Sequence, residues 1–423
     1  MYVPNQLVPP NKHCGSKENM MFRFLGVAGQ RILTGAFALA VLIFPDSAEA
    51  TTFKVLYSFT GGSNGGNPIS LTRDSNGNLY GAEGQPPGVG SVFKLAPSGS
   101  LDIHYLLKGG EGATGVVVDS NGSLWVTVLG GGTGCGVIFE IRPTGREALK
   151  HTFTGQPTDG CGPVAALIKT GHGNFSGTTT SGGKHQDGGT VFELSTDGSD
   201  KIIYNFCRKI NCTDGGDTAA GLIMDQSGNF YGTSSSGGGA HCAFGNFTGH
   251  ICGTVFKLTR DGTESVLYKF KGSPNDGAQP SGGVIMDQTG NFYGTAAGGG
   301  LSGPECEQNF GCGIAFKLAP DGTETVLHFF TGKNGDGGNP VAGLVADSMG
   351  NLYGSTPYGG DRNHNGTVFK IAADGTETVI HTFNGTNGAS PYSGLVADGA
   401  GNLYGTSEYG GTYGYGTVFE ITP

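Results

Sequence analysis

The sequence has few basic residues. It contains 24 Lys and Arg against 34 Asp and Glu, which gives a formal net charge of −10 at neutral pH. The basic residues form no run along the chain. Because nucleic acids and anionic membranes bind proteins mainly through clustered positive charge, we expect neither to be a partner.

The chain has no apolar segment of the length that spans a bilayer comfortably. The apolar run 32–44 has 13 residues, follows Arg23 and Arg31, and ends just before Ala48-Glu49-Ala50. This order is typical of a secretory signal peptide, here cleaved after Ala50, and an uncleaved membrane anchor is the alternative. We therefore expect residues 1–50 to be an N-terminal extension with a signal peptide. The mature protein would be secreted, periplasmic or at the cell surface, with no membrane span left.

Glycine, in contrast, is abundant, with 82 residues. Many of the glycines belong to two short sequence motifs, Gly401-Asn402-Leu403-Tyr404-Gly405 and 416–421, of which close copies occur seven times. We call them the first and the second repeat word. The phenylalanine of the second word recurs at intervals of 46 to 64 residues. Such a period is typical of the four-stranded blades of a β-propeller.

One repeat unit contains four short apolar, β-branched or aromatic segments, separated by Gly, Asp and Asn clusters. In the sixth unit we expect strands a to d at residues 341–346, 351–356, 367–372 and 377–383. The sequence thus predicts an all-β fold over residues 51–423, a seven-bladed propeller of four-stranded antiparallel blades. The N-terminal strand, 52–60, would complete the last blade and close the ring, and an open β-solenoid is the alternative.

These two words resemble those of the bacterial choice-of-anchor tandem repeat GloVer family, and more distantly those of NHL-type seven-bladed propellers. The resemblance covers residues 51–423 and implies a propeller without a known activity. Members often end in a sorting or anchoring segment. Because this chain ends on the last repeat, at Pro423, a freely secreted or periplasmic protein is favoured.

The loops divide into two classes. The a-to-b and c-to-d turns hardly vary in length, whereas the b-to-c and d-to-a loops vary freely. Alternating strand direction puts both variable classes on the same side of the ring, which we call the variable face. Since loops on a rigid scaffold usually carry binding, this face is the candidate functional surface.

Eight cysteines follow the leader, all in or beside variable-face loops. An even number in an exported chain indicates disulfides, and a zinc site is the alternative. The short loops favour Cys242 with Cys252, Cys306 with Cys312 and Cys207 with Cys212. The fourth pair, by exclusion, is Cys135 with Cys161.

An acid or amide precedes glycine in every d-to-a loop, and these residues would ring the mouth of the central channel. The seven are Asn64, Glu111, Asp159, Asp214, Asp276, Asp336 and Asn387. Converging carboxylates could hold a hard cation such as calcium, or attract a cationic or polyhydroxyl ligand. Their alternative role is that of ordinary turn residues. No other cofactor is predicted.

The channel-lining a strands carry almost no ionisable groups, so we assign no catalytic residue. His151, His328 and His381 occupy a d-strand position that Tyr fills in other copies, which indicates a packing role. We expect an exported, monomeric, non-enzymatic propeller that binds a carbohydrate or an extracellular protein through its disulfide-braced variable face. The alternative is an extracellular polysaccharide or glycan hydrolase or lyase that uses loop carboxylates and histidines, with calcium assistance.

Overall fold

The chain folds into seven four-stranded antiparallel sheets arranged as the blades of a β-propeller, which confirms the predicted fold. The computed structural model describes residues 51–62, 65–85, 90–106, 112–239, 242–244, 247–249, 252–301 and 311–423. These residues belong to one compact unit, Glu49–Pro423. No helix in this part of the chain is both long and apolar enough to cross a membrane.

Each blade has strands a to d in sheet order, with a next to the channel and d outermost. The strands of blades 1 to 3 are Gly66–Arg73, Leu79–Gln85, Ser91–Leu95 and Leu101–Leu106; Ala113–Val118, Leu124–Val128, Val137–Ile141 and Glu147–Thr152; Ile168–Lys169, Phe175–Thr179, Thr190–Leu194 and Asp200–Asn205. Those of blades 4 and 5 are Ile223–Met224, Phe230–Ser234, Thr254–Leu258 and Glu264–Lys269; Ile285–Met286, Phe292–Ala296, Ile314–Leu318 and Glu324–Phe329. Those of blades 6 and 7 are Val345–Ala346, Leu352–Thr356, Thr367–Ile371 and Glu377–Thr382; Val396–Ala397, Leu403–Ser407, Thr417–Thr422 and Thr52–Ser58.

Short elements occupy some of the loops. Among the described residues, four two-stranded pairs lie there: Gly160–Cys161 with Ser181–Gly182, Cys242–Phe244 with Phe247–Gly249, Gly277–Ala278 with Gly298–Gly299, and Gly337–Gly338 with Tyr358–Gly359. Two 3₁₀ turns span Gly171–Gly173 and Ile210–Cys212.

The a strand of blade 6 is shorter than predicted, and the a strands of blades 3 to 7 have two paired residues each. The segment before each pair gives carbonyl groups to the neighbouring blade instead of to its own sheet. Thr295 Oγ1 of blade 5 donates to the Ala342 carbonyl of blade 6 at 2.7 Å, and Thr233 Oγ1 donates to the Gly282 carbonyl at 3.0 Å. These bonds tie the inner edges of successive blades together.

The last blade contains strands from both ends of the propeller. The d strand Thr52–Ser58 pairs antiparallel with Thr417–Thr422, with Thr52 opposite Thr422 and Ser58 opposite Thr417. Thr406 Oγ1 of blade 7 also donates to the Pro68 carbonyl of blade 1 at 3.1 Å. Blade 7 therefore contacts blade 1 through the same type of bond that joins the other neighbouring blades.

Residues of the first repeat word bond to an aspartate that precedes the word in the a-to-b turn. Asp347 Oδ1 accepts the backbone N–H groups of Met349 and Asn351 at 2.9 Å each, while Oδ2 accepts Asn351 Nδ2 at 2.7 Å and the Tyr353 hydroxyl at 3.0 Å. The same arrangement recurs at Asp74, Asp225, Asp287 and Asp398. In blade 2, Trp125 Nε1 replaces the tyrosine and donates to Asp119 at 3.2 Å.

The two words meet inside each blade. A Cβ on Gly354 would lie 2.5 Å from Cζ of Phe369, so the ring of the second word fills the place of the missing side chain of the first. Phe369 is fully buried. This contact explains why glycine and phenylalanine recur together.

Candidate functional site

The central channel is lined by small and apolar residues that lie within the a strand of blade 1 and just before the a strands of blades 4 to 7. The lining comprises 69–71, 219–221, 281–283, 341–343 and 392–395. This described lining has no carboxylate and no histidine, and Tyr392 is its one aromatic residue. The wall of the channel therefore offers a hydrogen-bonding surface of backbone and hydroxyl groups.

The described members of the predicted ring lie beside the d strands and are absent from that lining. Asp276 shows the arrangement: its Oδ2 accepts the Lys271 amide at 2.8 Å and the Tyr268 hydroxyl at 2.8 Å, and its Oδ1 accepts the Gly277 amide at 2.6 Å. Because the d strand is outermost in its sheet, this carboxylate lies at the outer part of the blade. Ligand binding by these residues stays a prediction.

The other described members of the set are bonded within their own loops in a similar way. Asp159 accepts the Thr154 and Gly160 amides, Asp214 accepts the Arg208 and Lys209 amides, and Asp336 accepts the Thr331 amide. Asn387 Oδ1 accepts the Asn384 amide at 2.9 Å. Asn64 and Glu111 lie outside the described residues.

The d-strand histidines and tyrosines contact these loop residues. The Tyr204 hydroxyl donates to Asp214 at 2.8 Å, and His328 Nε2 lies 3.3 Å from Asp336 Oδ1. A β-bulge in each c-to-d pair, for example between Ala315 and Phe316, orients this position. His381 stacks on Phe53 with ring centroids 3.6 Å apart, and burial lowers the pKa of His381 to about 4.

At four of these pairs of a d-strand His or Tyr and a loop aspartate, a second carboxylate approaches from the next blade. This carboxylate was missed in the sequence analysis. It is the first residue of the following d strand, namely Asp200, Glu264, Glu324 or Glu377. Burial, followed by the charge of Asp276, raises the pKa of Glu324 to about 7. The signal was present, since Glu264, Glu324 and Glu377 each follow an Asp-Gly-Thr turn.

Blade 1 carries a buried acid where blades 3, 4, 6 and 7 have a hydroxyl. Glu83 is fully buried and receives a hydrogen bond from the Ser91 hydroxyl, whereas the equivalent pair in blade 4 is Ser234 and Thr254, 2.8 Å apart. Burial raises the pKa of Glu83 to about 7. Its carboxylate also raises the pKa of Tyr57, after the larger effect of burial.

Disulfides brace the variable face. Cys135 is bonded to Cys161 and Cys207 to Cys212, as the sequence predicted. Cys252 and Cys312 are disulfide-bonded as well. Their predicted partners, Cys242 and Cys306, lie outside the residues whose side chains the structure describes.

Tyrosines gather on the variable face of blades 6 and 7, another feature that sequence reasoning missed. We call Tyr358, Tyr392, Tyr409, Tyr413 and Tyr415 the tyrosine patch. The last three are 47%, 58% and 46% exposed. The Tyr358 and Tyr392 hydroxyls are 2.9 Å apart, so the patch reaches the channel lining. Three tyrosines within residues 408–416 were the available signal.

The backbone holds the patch in place. Tyr409 exchanges two backbone hydrogen bonds with Ala389, at 2.8 and 3.1 Å, and the Gly416 amide donates to the Gly410 carbonyl at 2.9 Å. The ring of Tyr415 packs against Gly61, where a Cβ would lie 2.7 Å from the ring. The three exposed rings thus project from a loop that is fixed at both ends.

Comparison with known proteins places the chain in one family. The family described as Gloeobacter/Verrucomicrobia repeat matches residues 40–248 and 242–423, and the chain belongs to it. No curated protein sequence matches the chain.

Solved structures share the fold at low identity. A structure of streptogramin B lyase is 13% identical, with a TM-score of 0.56, over 88% of this chain and 97% of that one. The extracellular domain of a protein described as a hybrid two-component system from B. thetaiotaomicron is 11% identical, with a TM-score of 0.54, over 87% of this chain and 39% of that one. At these identities the likeness concerns the fold alone.

Proposed function

We propose that this chain is an exported, non-enzymatic propeller that binds carbohydrate through the tyrosine patch on its variable face. The observation that carries the proposal is the group of three rings, about half exposed, on a backbone-anchored loop. Exposed aromatic clusters on soluble proteins usually mark binding sites. The C–H faces of a sugar ring are apolar and pack on tyrosine faces, while its hydroxyls require polar partners at the edges.

The surroundings of the patch supply such polar partners. Glu408 bonds to Tyr409 and raises the pKa of that phenol to about 12, ahead of the effect of burial. Tyrosine hydroxyls and the backbone of the channel wall are further donors and acceptors. A mixed set of rings, one carboxylate and several hydroxyls suits a neutral polyhydroxyl ligand better than a purely apolar one.

A glycan array probed with the exported chain tests this proposal. We expect binding to a defined set of glycans, weakened about three- to tenfold by Tyr413→Ala, since one aromatic contact contributes about 0.5–1.5 kcal/mol. Met349→Ala is the matched control, because Met349 is 73% exposed on an a-to-b turn, on the other face. A blank array, or equal loss in both variants, contradicts carbohydrate binding by the patch and leaves a protein partner as the next class to screen.

A hydrolysis screen on the same glycans separates binding from turnover. The alternative function, a glycan hydrolase or lyase, predicts product formation that is lost in Asp214→Asn or Asp276→Asn. We expect no turnover by the parent chain, and turnover with that loss contradicts the non-enzymatic proposal.

Export is tested on the protein recovered from a bacterial host that secretes it. Cleavage after Ala50 predicts Thr51 as the first residue by mass spectrometry, and the eight remaining cysteines should be oxidised. A retained leader or eight free thiols contradicts export by this route.

A further inference from the structure

A histidine and two carboxylates meet between the outer strands of blades 5 and 6. His328 lies on the d strand of blade 5, Asp336 lies in the loop after it, and Glu377 begins the d strand of blade 6. One ligand atom from each lies within 4.8 Å of the other two. The cluster lies at the outer strands of its blades, whereas the channel lining lies at the inner strands. It shares no residue with the tyrosine patch.

Two of the three side chains contact each other, and the third has a buried oxygen without a donor. Asp336 Oδ2 accepts the amide and hydroxyl of Thr331, both at 2.7 Å, so Oδ1 remains to face His328. Glu377 Oε1 is buried and accepts no hydrogen bond within the described part of the chain. A buried carboxylate oxygen without a donor is costly and calls for a positive partner.

The equivalent position between blades 3 and 4 has a basic side chain beside its second carboxylate, although Oε1 of Glu264, like that of Glu377, accepts no hydrogen bond within the described part of the chain. There Tyr204 replaces the histidine and donates to Asp214, and Lys209 Nζ lies 2.7 Å from Glu264. Among the described residues, no lysine or arginine forms a salt bridge with Asp336 or Glu377. The blade 5 cluster thus has two acids, an imidazole and no basic side chain to balance them.

We propose that His328, Asp336 and Glu377 bind a divalent transition-metal ion that joins blade 5 to blade 6. One imidazole nitrogen and two carboxylate oxygens form a ligand set that zinc accepts, with water completing the coordination. The bound ion would supply the positive charge that Lys209 supplies between blades 3 and 4. Its role is structural, because the site lies between outer strands and away from the tyrosine patch.

A related cluster at blades 2 and 3 provides an internal control. His151 Nε2 lies 3.3 Å from Asp159, while Nδ1 of the same ring lies 3.5 Å from Asp200. The two carboxylates therefore face opposite nitrogens of one ring, although one ligand atom from each of the three residues lies within 4.8 Å of the other two. Asp200 is exposed and can be solvated by water, whereas Glu377 has a buried oxygen without a donor. We therefore expect no ion at the His151 cluster.

Zinc titration of the metal-stripped chain by calorimetry tests the proposal. We expect one zinc per chain and a rise in melting temperature on binding. His328→Tyr should weaken zinc binding by at least about tenfold. Even the loss of a residue that only supports a metal ligand typically lowers metal affinity by about that factor. Tyrosine fills this position in blades 3 and 4, so the fold accommodates it.

Two further variants make the test specific. Glu377→Gln should weaken zinc binding as His328→Tyr does, and His151→Tyr should leave it unchanged. Failure of the parent chain to bind zinc, or undiminished binding by His328→Tyr or Glu377→Gln, overturns the proposal. So does a loss of binding in His151→Tyr.

Discussion

At the scale of single residues, the repeat words are sets of mutual contacts. Glycine in strand b leaves room for the phenylalanine of strand c, and tyrosine in strand b reaches back to the turn aspartate. In blade 2, Val126 takes the glycine position opposite Phe139, which is only partly buried. Each word is therefore constrained by the other, which explains why they recur as a pair.

Gly354→Ala tests this pairing. The new Cβ would lie 2.5 Å from Phe369 Cζ and 2.8 Å from Leu344 Cδ2, both buried, so we expect about 1–3 kcal/mol of destabilisation in urea unfolding. Gly399→Ala is the control, because a Cβ there meets nothing within 4 Å. Equal unfolding midpoints for the two variants would contradict the pairing.

Glu83 should make stability depend on pH. Its carboxyl ionises near 4.5 in the unfolded chain and at about 7 in the folded protein. A raised folded-state pKa contributes stability that is complete below 4.5 and is lost as pH rises through 7, in all about 3 kcal/mol. Glu83→Gln should therefore gain stability relative to the parent between pH 5 and pH 8. A difference in unfolding free energy that does not change with pH would contradict this account.

At the scale of elements, the carboxylates that the sequence analysis missed lie on the d strands. The loop aspartates were identified because they precede glycine in successive copies. Their neighbours Glu324 and Glu377 were missed because each comes from the next blade, and a repeat pattern does not state which residues of adjacent units face one another. The tyrosine patch was missed for a related reason, since Tyr358, Tyr392 and Tyr409 belong to separate loops.

The strand Thr52–Ser58 gives a direct test at this scale. Deleting residues 51–60 removes the outer strand of blade 7 together with Phe59, which is fully buried. We expect a loss of several kcal/mol, since a strand of backbone bonds and buried apolar area disappears. Removing residues 1–50 alone is the control. An unchanged thermal midpoint after the longer deletion would contradict the role of this strand.

At the scale of the whole molecule, the fold was predictable because seven copies have the same strand pattern, and the pattern is kept in blade 2 although Trp125 and Val126 depart from it. The proposed binding surface was predictable only as one face of the ring. Its chemistry depends on loops that differ between copies, and repetition carries no information about them. The tyrosine patch lies in such loops, and His328 replaces the tyrosine of blades 3 and 4, whereas Asp336 and Glu377 belong to the repeat pattern.

Amide hydrogen exchange of the chain, with and without a glycan selected on the array, tests the central claim most directly. The account predicts slowed exchange in residues 407–416 and around Tyr392, and unchanged exchange in the a-to-b turns on the other face. Protection confined to those turns, or to the outer loops that carry Asp159, Asp214 and Asp276, would contradict binding at the tyrosine patch.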